Sequence, residues 1–179
     1  DLAYLKIVLS QRRELTQGVP MDKGLVKLGI DDITAGKPLP WSLYDKNGIV
    51  IFNSGFVFRS DSQVDRISSW ELFNASNELS ALANHRINPS KAQNDEAISS
   101  FDLVENIISQ LAVTLANRDN PDINFADAIM ILVDEIEYIC STTPDAALAA
   151  LFVVKTGEYS IRHSVDVALL TCMVCHIQD

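Results

Sequence analysis

The chain has 179 residues, 47% hydrophobic and 21% charged, which suits one folded domain or slightly more and excludes collagen-like, disordered and disulfide-scaffold classes. Its 14 basic and 24 acidic residues give a formal net charge of −10. Nucleic-acid phosphates and anionic membrane surfaces repel such a chain, and no basic run exceeds Arg12-Arg13, so neither is an expected partner. The longest apolar run, 146–154, is far short of the ~20 residues that span a bilayer. Residues 1–10 lack a basic start followed by a small-residue cleavage site, so no signal peptide is expected. The 3 cysteines, Cys140, Cys172 and Cys175, are too few and odd in number for a secreted disulfide framework. The expected compartment is the reducing cytoplasm.

Residues 1–19 form an N-terminal segment whose apolar stretch, Leu2 through Leu9, fits helix and strand equally. Residues 20–73 read as a small β domain with a covering helix. Trp41-Ser42-Leu43-Tyr44 and Ile49-Val50-Ile51-Phe52 flank Asp45-Lys46-Asn47-Gly48. Asn-Gly tolerates positive φ at both turn positions, so a tight hairpin is predicted. Asn53-Ser54-Gly55 is a second turn, with Phe56-Val57-Phe58 as a third short strand and Pro38 and Pro40 at a strand entry. Ser60-Asp61-Ser62-Gln63 has the capping-box form, opening a helix with Val64, Ile67 and Leu72 as its apolar stripe.

Residues 74–97 are polar and weakly periodic, a linker with one helical turn at 78–83. From 98 to 179 the pattern is helical. Phe101, Val104, Ile108, Leu111 and Leu115 recur at helical intervals over 98–117, and Asn120-Pro121-Asp122 breaks that helix. Asn124 caps a second helix over 125–140, with Asp134, Glu135 and Glu137 toward water and Cys140 as a small buried hydrophobe. Thr143 caps a third, with Pro144 and Asp145 in its first turn and Gly157 closing it. Ser160 caps a fourth and places His163 in its first turn. That imidazole can ligate a metal, or cap and pack.

The stretch Tyr159-Ser160-x-x-His163-Ser164-x-x-Val167-Ala168 resembles the opening of the HD-GYP domain, and residues 144–148 resemble the segment that family places before it. Upstream, Gly36-Lys37-Pro38-Leu39-Pro40-Trp41, Leu43-Tyr44-Asp45-x-x-Gly48, Gly55 and the helix through Ile67 to Phe73 resemble the small β domain often N-terminal to HD-GYP domains. The two matches cover about half the chain in the expected order. The resemblance implies an α+β chain whose helical part begins an all-α HD-type domain. It implies a cytoplasmic bacterial signalling protein that hydrolyses cyclic di-GMP with divalent metal ions, iron or manganese, in the intact parent.

By position, His163 matches the family's first histidine metal ligand, and Tyr159 a position where some members carry a metal-binding Glu. Glu158 is one residue out of register. The 179 residues contain no adjacent His-Asp pair and no Gly-Tyr-Pro, and His85 and His176 lie outside family motifs. The chain is therefore expected to be a piece of a longer enzyme, lacking most of the catalytic site and inactive alone. A different reading makes it a non-catalytic regulatory module that forms a homodimer through its apolar helices.

Other residues carry competing chemistry. Cys172-Met173-Val174-Cys175-His176 fits the c-type haem attachment pattern, two thiols adding to vinyl groups while the histidine ligates iron. The same thiols also read as half a zinc site, a redox pair or two small core residues. Trp41 and Tyr44 read as a base-stacking platform or as sheet core. Arg12-Arg13 and Lys37 read as phosphate contacts or solvated cations, and Asp166 as an orienter of His163 or a surface acid.

Overall fold

The computed structural model describes residues 24–75 and 99–178. The N-terminal segment with Arg12-Arg13, the helical turn at 78–83, most of the polar linker and His85 lie outside the described residues. The described residues form two compact units, 24–75 with 113–124, and 99–112 with 125–178. The architecture is α+β, as the sequence predicts: a small antiparallel sheet and a set of helices.

The first unit is built on strands β1 (Leu25–Lys27), β2 (Leu43–Tyr44), β3 (Val50–Phe52) and β4 (Phe73–Ala75), in the order β1-β4-β2-β3. Leu25, Val26 and Lys27 pair with Ala75, Asn74 and Phe73, while Leu43 pairs with Phe52 and Tyr44 with both Val50 and Phe73. Asn74 and Ala75 thus belong to an inner strand, not to the polar linker in which the sequence reading placed them. A lone Asn within a β-compatible stretch hides such a strand from pattern reading, because the cross-strand partners that stabilise it are remote in sequence.

The β2–β3 hairpin forms where Asn47-Gly48 predicts it, by different turn chemistry. Gly48 has φ +79°, and no non-glycine residue among those described has positive φ, so Asn47 does not use the left-handed region. Gly48 N donates to Asp45 O at 3.0 Å and Asp45 N to Ile49 O at 2.9 Å, a turn closed by one left-handed glycine. The buried Asp45 carboxylate holds this turn: Oδ1 accepts from Asn47 N and Ile49 N, both at 2.8 Å, and Oδ2 from Asn120 Nδ2 at 3.0 Å. Asn117 Nδ2 donates to Val50 O at 2.8 Å, and Lys46 Nζ pairs with Asp122 at 2.8 Å. Residues 117–122, which break the helix before them, thereby support the hairpin.

Phe56-Val57-Phe58, predicted as a strand, forms a single bridge, Val57 to Pro38. Proline lacks the N–H that a ladder requires, so pairing passes to its neighbours. Leu39 N donates to Phe56 O at 2.7 Å and Gly36 N to Phe58 O at 2.6 Å. Phe52 gathers Phe56, Phe58 and Trp70 at centroid distances of 5.2, 5.0 and 6.1 Å, the aromatic heart of this unit. Helix α1 (Asp61–Ile67) covers it, with Val64 and Ile67 buried. Ser60 caps the helix through its side chain, while Gln63 Oε1 reaches back to Arg59 N at 2.6 Å, one residue before the usual capping-box position.

The second unit contains most of α2 (Ser100–Ala116), with α3 (Phe125–Thr142), α4 (Pro144–Val153) and α5 (Tyr159–Gln178). Leu103, Val104, Ile107, Ile108, Ile136, Ile139, Cys140, Ala147, Ala150, Val154, Val165 and Leu169 form its core. Glu135, predicted to face water, is 3% exposed, because it lies four residues after Ile131 and four before Ile139 on the packed stripe. Thr143 precedes α4 without capping it: its hydroxyl is turned back to Ile139 O at 3.3 Å. Gly157 has φ +77°, and a Cβ placed there would stand 2.6 Å from Ile108 Cγ2. Both the backbone conformation and the space demand glycine in the turn that launches α5.

Candidate functional site

Helix α5 starts at Tyr159, two residues before the start that a Ser160 cap predicts. Ser160 therefore lies inside the first turn, donating to Glu158 Oε1 at 2.8 Å instead of capping, and Arg162 N donates to Glu158 O at 2.9 Å. His163 becomes the fifth helical residue.

The apolar residues of α5 occupy two faces. Val165 and Leu169 are buried in the core, with Ile161, Ala168, Cys172 and Met173 packed against it. At about 100° per residue, His163, Val167, Leu170 and Val174 fall in an arc of roughly 60° on the opposite side. Val167, Leu170 and Val174 are exposed large hydrophobics, and His163 is exposed among them. The His163 ring stacks on Tyr159 with centroids 5.7 Å apart and planes 4° from parallel, and the Arg162 guanidinium carbon lies 5.6 Å from the Tyr159 ring centre. Arg162 Nη1 also donates to Lys155 O at 3.1 Å, tying this cluster to the turn before the helix.

Asp166 is half-buried and makes no hydrogen bond to His163. Among the described residues, no three His, Cys, Asp or Glu side chains converge as a metal-binding group. The polynuclear site that the sequence resemblance implies does not fit these residues alone, and no catalytic step follows from them.

The three residues of the haem-like motif differ in burial. Cys172 is half-buried, while Cys175 and His176 are exposed. Burial, and then the neighbouring Cys172 thiol, push the buried Cys140 thiol up to about 12. Trp41 and Tyr44 are buried in the first unit, so they serve as core rather than as an open stacking platform, and Lys37 is exposed. A cleft of about 330 Å³ lies between β1 and the segment after α1. Its charged residues, Lys27 and Glu71, pair with each other at 2.8 Å.

Sequence reasoning missed two features. One is the second apolar face of α5, legible as the four- and three-residue spacing of His163, Val167, Leu170 and Val174. The other is the contact between Cys140 and α5, for which the sequence offers no signal. No helix among the described residues is long and apolar enough to cross a membrane. Comparison with protein-family models, curated proteins and solved structures found no match to this chain.

Proposed function

We propose that the chain is part of a cyclic-dinucleotide signalling protein of the HD-GYP type, with metal-dependent hydrolysis of cyclic di-GMP in the intact parent. In this reading His163 is one ligand of a divalent iron or manganese centre. The remaining ligands are not among the described residues, and the chain alone is inactive. One observation carries the reading: His163 stands on the face of α5 opposite the packed one, inside an exposed apolar stripe. A helix apolar on both sides is an interior helix in a larger assembly of helices. An imidazole at the N-terminal end of its uncovered stripe is available to ligands carried by whatever packs there. When bound, the metal would supply an activated water and charge neutralisation at the phosphodiester. His163 would hold it, with Tyr159 setting the ring plane by stacking. Localisation in the cytoplasm belongs to the same proposal.

The test is metal analysis and cyclic di-GMP hydrolysis by the protein expressed from its native gene, beside His163→Ala. The reading requires bound iron or manganese and turnover in the first, with both lost in the second. Equal metal content in the two proteins refutes it.

A second reading, a regulatory module that self-associates as a homodimer, is favoured by Phe152 and Val153, which are 73% and 64% exposed at the end of α4. A soluble protein without bound metal that sediments as a dimer supports this reading over the first.

A further inference from the structure

Three thiols lie at graded depth in the second unit: Cys140 on α3 is buried, Cys172 on α5 is half-buried, and Cys175 one turn on is exposed. Cys140 Sγ stands 3.7 Å from the carbonyl oxygen of Leu169 on α5. A helical carbonyl points toward the residues three and four positions on, and a helical Cβ tilts back toward the N-terminus. Both directions bring the Cys172 side chain to the level of Cys140 Sγ. Cys172 packs against the apolar cluster that contains Cys140, and after burial it is the group that raises the Cys140 thiol.

We infer that Cys140 and Cys172 close an interhelix disulfide under oxidising conditions, a reversible staple between α3 and α5. The oxidant is a low-molecular-weight disulfide such as oxidised glutathione. The Cys172 sulfur, its proton passing to solvent, attacks one sulfur of the oxidant, whose S–S bond breaks and releases one thiol. Cys140 then gives its proton to water, its sulfur attacks Cys172, and the second thiol leaves. Two protein thiols are oxidised and one external disulfide is reduced to two thiols. Because burial disfavours the Cys140 thiolate, closure is slower at neutral than at alkaline pH. The staple fixes the helix that presents His163, nine residues or roughly 13 Å along the axis from Cys172. It does so whether or not His163 binds a metal.

The test uses the 179-residue chain treated with oxidised glutathione at mildly alkaline pH, then mapped without reduction. Trypsin releases Cys140 in peptide 119–155 and both other thiols in peptide 163–179. The two peptides should appear cross-linked in the wild type and in Cys175→Ser, and separate in Cys172→Ser and Cys140→Ala. Oxidation should raise the melting midpoint by about 5–15 °C, reversibly on reduction, in the wild type but not in Cys172→Ser. The half-buried Cys172 site tolerates serine, so that variant keeps the test valid if Cys140→Ala folds poorly. A Cys172–Cys175 link within one peptide, a Cys140–Cys175 link, an intermolecular disulfide alone, or no disulfide at all overturns the inference.

Discussion

Replacing Gly157 by alanine probes how α5 is positioned. Two costs can be separated there. A left-handed backbone costs an ordinary L residue about 1–2 kcal/mol, and Gly157 sits at φ +77°. The added Cβ would stand 2.6 Å from Ile108 Cγ2, a contact that forces repacking of a buried residue at about 1–3 kcal/mol. Gly157→Ala should therefore lose about 2–5 kcal/mol, and Gly157→Asn, which tolerates the backbone, should retain mainly the steric part. Ile108→Leu removes the offending methyl, so Gly157→Ala should cost at least about 1 kcal/mol less in that background. Urea unfolding followed by helical circular dichroism measures all of these. A Gly157→Ala variant within about 0.5 kcal/mol of wild type, or equal costs in both backgrounds, refutes the close packing of this turn on α2.

Asp45→Ala should destabilise the first unit by about 2–4 kcal/mol, because it leaves Asn47 N, Ile49 N and Asn120 Nδ2 without their buried acceptor. Asp45→Asn, which keeps one acceptor oxygen, should cost less, and thermal unfolding ranks the two. Glu71 is held below its ordinary value by the Lys27 ammonium, so its contribution is complete above about pH 4.5 and fades as pH falls through the lower folded value. Carbon NMR of the Glu71 carboxyl should show its midpoint rising in Lys27→Ala. Lys46 is raised above 10.5 by Asp122, so its contribution is complete below that pH and fades on further alkalinisation, an effect that added salt weakens. Phe152→Ser should change stability by less than about 0.5 kcal/mol, since the side chain is 73% exposed, yet reduce any self-association measured by sedimentation.

Local chemistry carried the readings that held. The Asn47-Gly48 hairpin, the Ser60 cap and the helices around 98–117 and 125–140 follow from turn residues, caps and apolar spacing that act within a few residues. The readings that moved depended on distant partners. Asn74 and Ala75 join the sheet because Val26 and Leu25 of β1 pair with them. Phe56-Val57-Phe58 fails as a regular strand because its partner segment carries Pro38. Thr143 and Ser160 have the composition of caps, but their hydroxyls find other oxygens, Ile139 O and Glu158 Oε1. The motif through His163 locates the candidate site in the sequence. Only the packing of Val165 and Leu169 reveals that the imidazole occupies the opposite face.

The central claim, that His163 donates to a metal, is tested most directly by anomalous diffraction at the iron or manganese edge from crystals of the native gene product. The account predicts a peak about 2.0–2.3 Å from an imidazole nitrogen of His163, with further ligands arriving from the layer that covers Val167 and Leu170. A ring enclosed by aliphatic side chains, with the anomalous signal elsewhere or missing, contradicts it.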